Sequence, residues 1–212
     1  MLRTPRTLTD PREIYIHASF IAPEGPAQPL RQDEMLFTLP SVGGRLQTLI
    51  GNWEAREALL GPIYDLYNGT IRSPAMYVEH QFTSFFQAIE SYHRRTVPVS
   101  AVRPGEKPRR VPAKRRLTTI IMQCDAQWLF SEPLDEAVEH LVEVRDYFTH
   151  YLPDGDLHVP DLIDLYNDTV RMRLLLEMVL LQELGFDNQE IRRIFETSRR
   201  VERLLVTRFK TP

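Results

Sequence analysis

The 212-residue sequence predicts a mainly α-helical bundle with a short N-terminal extension that contains β-strands. From residue 45 onward, apolar residues recur at the three- and four-residue spacing of amphipathic helices. Residues 1–43 are instead rich in proline and glycine and hold an alternating apolar segment, which is typical of a strand. We therefore expect an extension over residues 1–43 and a helical domain over residues 44–212.

The extension is predicted to contain two short strands. Ile14, Ile16, Ala18 and Phe20 alternate as in a half-buried strand, and residues 35–39 are a second candidate. Two short strands do not form a stable sheet alone. The extension is thus expected either to pack on the helical domain or to be the remnant of a larger β-rich domain that is missing here, and we favour the second interpretation.

Two helices are predicted next. The first begins near Arg45 and should be interrupted at Gly61-Pro62, with a short continuation. In the second, Ser73 can act as the cap and Pro74 can open the first turn. The two apolar stripes are Leu46, Leu49, Ile50, Trp53 and Leu60, and Val78, Phe82, Phe85, Phe86 and Ile89.

The second half of the chain predicts further helices. One carries Leu117, Ile120, Ile121, Cys124 and Trp128, and the next opens at Pro133. A long helix should begin at Asp161 and end at Gly185, a residue typical of helix C-termini. Asp187 and Glu190 have the spacing of a capping box for a last helix. The last helix carries Ile191, Ile194, Phe195, Leu204 and Leu205.

Arg145 has an unusual place in the helix that follows Pro133. At about 100° per residue, four apolar side chains lie within about 60° of Arg145, whereas the glutamates lie on the far side. A guanidinium does not lose its proton in such surroundings. It needs a carboxylate, a cluster of carbonyls or an anionic ligand, or else the stripe borders a cleft. The four apolar neighbours are Leu134, Val138, Leu141 and Phe148.

His150 lies five residues after Arg145, about 140° around the helix and roughly 7–8 Å further along its axis. Two routes could bring the side chains together. Pro153 disfavours helical geometry at Leu152, so the helix could unwind near His150 and free the ring. Alternatively, two such helix ends could face each other in a homodimer. In both cases the helix C-terminus favours the protonated imidazole.

Arg145-Asp146-x-x-x-His150, at a helix end inside an α bundle, resembles the Arg-x4-6-His motif of HEPN domains. The chain from Gly44 to about Arg208 is most similar to the ApeA type. The resemblance implies a metal-independent endoribonuclease that works as a dimer, often as a toxin or an anti-phage effector. It also implies that His150 transfers a proton at the 2′-hydroxyl or the leaving oxygen, while Arg145 stabilises charge on the phosphate.

Asp146 is a departure from the family pattern, in which asparagine commonly follows the arginine. A carboxylate there could orient His150 or Arg145, or it could weaken the site by repelling phosphate. The competing structural interpretation is that Arg145 forms an ion pair with Glu90 and that His150 is an ordinary helix-terminal histidine.

Glu90-x-x-x-Arg94-Arg95 resembles an accessory motif that some HEPN branches carry on an earlier helix. The resemblance implies that these residues assist RNA binding, although glutamate and arginine at this spacing also form an ordinary helix-stabilising pair. A connector with four prolines is predicted from residue 96 to about residue 116. It could bind RNA phosphates or be a solvated loop. Its candidate RNA contacts are Arg109, Arg110, Arg115 and Arg116.

Other classes of function lack a motif. No glycine-rich phosphate loop and no zinc-type pairing of Cys or His occurs, so neither a metal nor a cofactor is predicted. His140 falls on the polar side of its helix and is expected to be solvated. The single Cys124, the lack of a long apolar run and the N-terminus without a secretory signal favour a cytoplasmic chain without a membrane span. The alternative to a ribonuclease is a non-catalytic HEPN-like module that dimerises or binds RNA or a nucleotide, or regulates a partner protein.

Overall fold

The computed structural model describes residues 35–73, 75–97, 111–150 and 161–206. Every regular element within these ranges is helical, which confirms the mainly α fold class. The helices are α1 (Leu39–Val42), α2 (Leu46–Ile71), α3 (Val78–Thr96), α4 (Ala113–Gln123), α5 (Leu134–His150), α6 (Leu162–Leu184), α7 (Asn188–Thr197) and α8 (Arg199–Val206), with 3-10 turns at Gly43–Arg45 and Gln127–Leu129. None of these helices combines the length and the apolar content that crossing a membrane requires.

Helix α6 is the centre of the bundle. All residues from 174 to 179 are buried, and six consecutive residues cover every side of a helix with 3.6 residues per turn. Helix α3 packs most extensively on α6 and next on α2, through Phe82, Phe85 and Phe86 among other side chains. Helix α5 packs on α4 and α3. The site residues predicted on α3 and α5 therefore lie on neighbouring helices.

The predicted ends of α6 and the start of α7 are confirmed. The Asp161 side chain accepts a hydrogen bond from the backbone N–H of Ile163, and Gly185 ends α6 in the left-handed conformation at φ +106°. Asp187 and Glu190 form a capping box. The predicted single last helix is wrong, since Ser198 separates α7 from α8.

The predicted break at Gly61-Pro62 is also wrong, because α2 continues through Pro62 to Ile71. Proline removes one hydrogen bond and crowds the preceding turn. Leu60 and Ile63, on either side, are fully buried, and their packing offsets this local cost. The predicted apolar stripe is only partly buried, because Leu46, Ile50 and Trp53 are exposed.

Three other predicted boundaries change. Residues 35–39 are not a strand, since Thr38 caps α1 and the Phe37 ring packs on Phe186 with centroids 5.2 Å apart. Helix α3 begins at Val78 after Tyr77, instead of at Pro74, which lies outside the described residues. The connector predicted to reach residue 116 ends before Ala113. The predicted strand over residues 14–20 lies outside the described residues, and the domain boundary at residue 43 stays a prediction.

Candidate functional site

Arg145 lies on the side of α5 that faces α3. Its Nη2 lies 3.5 Å from Oε1 of Glu90, and its guanidinium carbon lies 5.2 Å from the centre of the Phe86 ring. Its Nη1 donates to Oδ1 of Asp146 at 2.5 Å. The side chain of Arg145 keeps 20% of its exposure, so it borders the solvent. Of the environments that the sequence allowed for Arg145, the structure shows carboxylate partners, and the contact with Glu90 is the ion pair expected by the competing structural interpretation.

Glu90 is shared by three guanidiniums from three helices. Arg94, one turn later on α3, approaches Glu90 at 3.9 Å, and Arg116 of α4 and Arg145 of α5 each approach it at 3.5 Å. With Asp146 we call this set the arginine cluster. Its three positive and two negative groups sum to +1. Arg94 is 54% exposed and Arg145 is 20% exposed, so the cluster reaches the solvent.

His93 lies one turn after Glu90 on α3 and is buried. Burial lowers the pKa of its imidazole, and the charges of Arg116, Arg115 and Arg94 lower the pKa further. The neutral imidazole is therefore the favoured form near neutral pH, and His93 adds no charge to the arginine cluster.

The other predicted RNA contacts are not all brought together. Arg95 points away from Glu90 and donates to the backbone oxygen of Leu59 at 3.0 Å. Arg115 and Arg116 lie on α4, so the prediction that they belong to an irregular connector is wrong. Arg116 is 2% exposed because α4 turns it inward toward Glu90, so it does not present its guanidinium to bulk solvent. Arg109 and Arg110 lie outside the described residues.

His150 is the last residue of α5 and is exposed. Because α5 is helical through His150, the spacing of five residues puts its side chain on a different face of α5 from Arg145. Asp146 lies four residues before His150, and residues at this spacing share a helix face. Asp146 accepts a hydrogen bond from Arg145, so it contacts one predicted catalytic side chain and shares a helix face with the other.

A second polar network, missed at the sequence level, connects α5 to α6. The His140 ring donates from Nε2 to Oδ2 of Asp168 over 2.8 Å, and Arg171 donates to Oδ1 of Asp168 and to Oε1 of Glu132 at 3.0 Å each. We call these four residues the α5–α6 clamp. Asp168 is 2% exposed. The expectation that His140 is solvated is confirmed, since its side chain is 46% exposed, but its pairing with Asp168 was not predicted. The inward position of Asp168 on the apolar side of α6 was the available signal for this pair.

A third network surrounds the buried Glu177 of α6. Its Oε1 accepts hydrogen bonds from Tyr67 at 2.7 Å and from Arg173 at 3.0 Å, and Arg200 pairs with the same oxygen. This network ties α2 and α8 to α6, and its role is structural. Among the described residues, no group of three His, Cys, Asp or Glu side chains could hold a metal ion.

The chain belongs to the family described as Apea-like HEPN, whose model matches residues 83–190, just over half of the 212 residues. The match extends from α3 into α7 and includes Glu90, Arg145 and His150. The resemblance inferred from the sequence is thereby confirmed. Membership associates the chain with a class of ribonuclease-type, defence and toxin modules. Searches of curated proteins and of solved structures found no significant match.

Proposed function

We propose that this chain is a metal-independent endoribonuclease of the HEPN type that acts as a homodimer in the cytoplasm, as a toxin or an anti-phage effector. The observation that carries the proposal is the arginine cluster, whose Arg145 lies on the same helix that ends at His150, within the matched region. RNA supplies its own nucleophile, so the protein needs a proton-transfer group and a cation. It needs no metal ion.

In the proposed reaction, the 2′-hydroxyl attacks the adjacent phosphorus and the bond from phosphorus to the 5′-oxygen breaks. His150 removes the proton from the 2′-hydroxyl, and the imidazolium of a second copy protonates the leaving 5′-oxygen. Arg145 donates hydrogen bonds to the phosphate oxygens, whose negative charge grows in the transition state. The products are a 2′,3′-cyclic phosphate and a 5′-hydroxyl.

The surroundings of Arg145 favour this role over a sealed structural ion pair. Glu90 is divided among three arginines at 3.5–3.9 Å, longer than the hydrogen bonds of a tight pair. An incoming phosphate can therefore compete with Glu90 for Nη2 of Arg145, whereas Nη1 is held by Asp146 at 2.5 Å. Arg94, which is 54% exposed, can contact a neighbouring phosphate.

Three exposed apolar side chains support the homodimer. Glu132, just before α5, pairs with Arg171 of α6. His140, further along α5, pairs with Asp168, which precedes Arg171 on α6, so the two helices run in opposite directions. The start of α6 and His150 are thus at the same end of the helix pair. The exposed side chains there are Leu162, Ile163 and Tyr166. A second copy that covers them brings two His150 side chains toward one groove.

The second candidate is a non-catalytic HEPN-like module that binds RNA or a nucleotide, with a regulatory partner. The hydrogen bond from Arg145 to Asp146 favours it, because a carboxylate beside the guanidinium repels phosphate. Asp146→Asn distinguishes the candidates. It removes this repulsion, so RNA cleavage increases if Asp146 only weakens an active site, and RNA affinity alone increases if the chain merely binds.

The test is cleavage of a labelled single-stranded RNA in EDTA by the wild type, Arg145→Ala, His150→Ala and the control His80→Ala, which removes an exposed histidine of α3. We expect both site variants to fold and to lose at least a hundredfold in rate, while the control stays active. RNA with 2′-O-methyl groups should resist cleavage. The ribonuclease proposal is wrong if the dimeric wild type leaves every RNA intact, or if His150→Ala cleaves as fast as the wild type.

A further inference from the structure

The α5–α6 clamp connects α6 to the helix that carries Arg145 and His150. The clamp begins at Glu132, just before α5, passes through Arg171 and Asp168 of α6, and ends at His140 in the second turn of α5. The backbone of α5 approaches mainly α4 and α3, and α6 is not among its extensive neighbours. The clamp is thus a polar side-chain connection between two helices whose backbones are not close neighbours.

The charges of the clamp balance in only one protonation state. Glu132 and Asp168 are negative and Arg171 is positive, so the four residues sum to −1 with a neutral His140 and to zero with an imidazolium. Asp168 is buried and cannot recruit bulk water to compensate its charge. Charge balance at a buried carboxylate therefore favours a protonated His140.

The acidic groups around His140 also favour its protonated form. Glu136 on α5 and Asp164 on α6 line a cavity of about 340 Å³ beside the ring, together with the uncharged Asn167. The hydrogen bond to Asp168 raises the pKa of His140, and the charges of Asp168 and Asp164 raise it further, against burial and Arg171, which lower it. Nε2 of His140 carries a proton in both the neutral and the charged ring, because the ionised Asp168 carboxylate can only accept a hydrogen bond.

We propose that His140 and Asp168 are positioning residues, and that the imidazolium of His140 locks α5 onto α6 and thereby fixes Arg145 and His150 relative to α3. This inference rests on the proposed function for its effect on RNA cleavage, but the lock itself is independent of it. When the His140 imidazolium loses its proton, the neutral ring still donates a hydrogen bond to Asp168 but no longer carries a positive charge. The contact is then weaker, so α5 is held less firmly.

The contribution of His140 to the free energy of unfolding should fall as the pH rises. A histidine whose pKa is raised in the folded state contributes its full stabilisation below the pKa of the unfolded chain. It loses this contribution as the pH rises through the folded-state pKa. Each unit between the two pKa values changes the folding equilibrium constant about tenfold. The stability of the wild type should therefore fall across this window, whereas His140→Gln should lack this component of the fall.

The first experiment follows the six histidine rings by NMR as the pH is changed, with His140 assigned by its loss in His140→Gln. The midpoint of His140 should lie above that of the same ring in urea-unfolded protein. Glu132→Gln weakens the clamp without removing a buried group and should shift the folded-state midpoint. A His140 midpoint at or below the unfolded value, or parallel stability curves for wild type and His140→Gln, would overturn the lock.

The second experiment measures kcat and KM for RNA cleavage across the same pH range. The wild type should lose kcat as His140 deprotonates, with KM unchanged, whereas His140→Gln should have a low kcat without this step. A wild type without cleavage contradicts the proposed function, while NMR and stability still decide on the lock. Cleavage with the same pH profile in both proteins contradicts the positioning role alone.

Discussion

Replacing Glu90 with glutamine tests whether one carboxylate holds three guanidiniums together. The substitution keeps the shape of the side chain and an acceptor oxygen, but it removes the negative charge that Arg94, Arg116 and Arg145 share. The charge of the arginine cluster then rises from +1 to +2. Mutual repulsion should separate the ends of α3, α4 and α5 that meet there.

The expected cost follows from burial and distance. Removing one partner of a fully buried ion pair costs roughly 3–5 kcal/mol, because the other charge is left uncompensated. Arg116 is almost fully buried, but Arg94 is mostly exposed and all three contacts are 3.5 Å or longer, so solvent screens part of the loss. We therefore expect Glu90→Gln to lower the free energy of unfolding by about 2 kcal/mol.

The assay is urea unfolding of the wild type, Glu90→Gln and the control Glu139→Gln. Glu139 also pairs with a cation, Lys114, but it is 63% exposed, so its loss should cost less than about 0.5 kcal/mol. Arg116→Met in the Glu90→Gln background should recover about 1 kcal/mol, because it removes a buried cation that has lost the Glu90 carboxylate. The reasoning is refuted if Glu90→Gln costs no more than Glu139→Gln.

Three further predictions concern single residues of the scaffold. Gly185→Ala should destabilise the protein by about 1–2 kcal/mol in thermal unfolding, because Gly185 has φ +106°. The added Cβ would also lie 2.8 Å from Nδ2 of Asn52, which donates to the Leu184 oxygen. Unchanged stability would contradict this prediction. Gly61→Ala should stabilise α2 by roughly 0.5–1 kcal/mol, since no atom lies within 4 Å of the added Cβ, and a loss would contradict the continuous helix. Burial raises the pKa of Cys124 to about 12, so a thiol reagent at pH 8 should label the native protein far more slowly than the urea-unfolded protein, and equal rates would contradict its burial.

Features that depend on neighbours in the sequence were the most predictable. Asp161, Gly185 and the pair Asp187 and Glu190 act on hydrogen bonds within one helical turn, so their roles could be inferred from spacing alone. The break at Pro62 was predicted by the same local logic and is absent. Packing of α2 on the core overrides it, and that packing is not encoded near Pro62.

The candidate site shows the same division. Helical periodicity put Arg145 in an apolar stripe and required an anionic partner, and Glu90 was a candidate for it. Periodicity did not indicate that Arg116 shares Glu90, because Arg116 belongs to a helix whose start was predicted too late. Periodicity correctly put His140 on an exposed face, but it did not indicate the pair with Asp168, which is 28 residues away on another helix.

By itself, the amino-acid sequence determined the helical class, the caps of α6 and α7, the family and the position of a cation on an apolar face, because each depends on residue type and spacing along one segment. Only the tertiary structure decided which charges meet. Glu90 collects three arginines and Asp168 collects a histidine and an arginine because separate helices pack around α6. Burial then makes the balance of charge at each carboxylate a property of the assembled bundle.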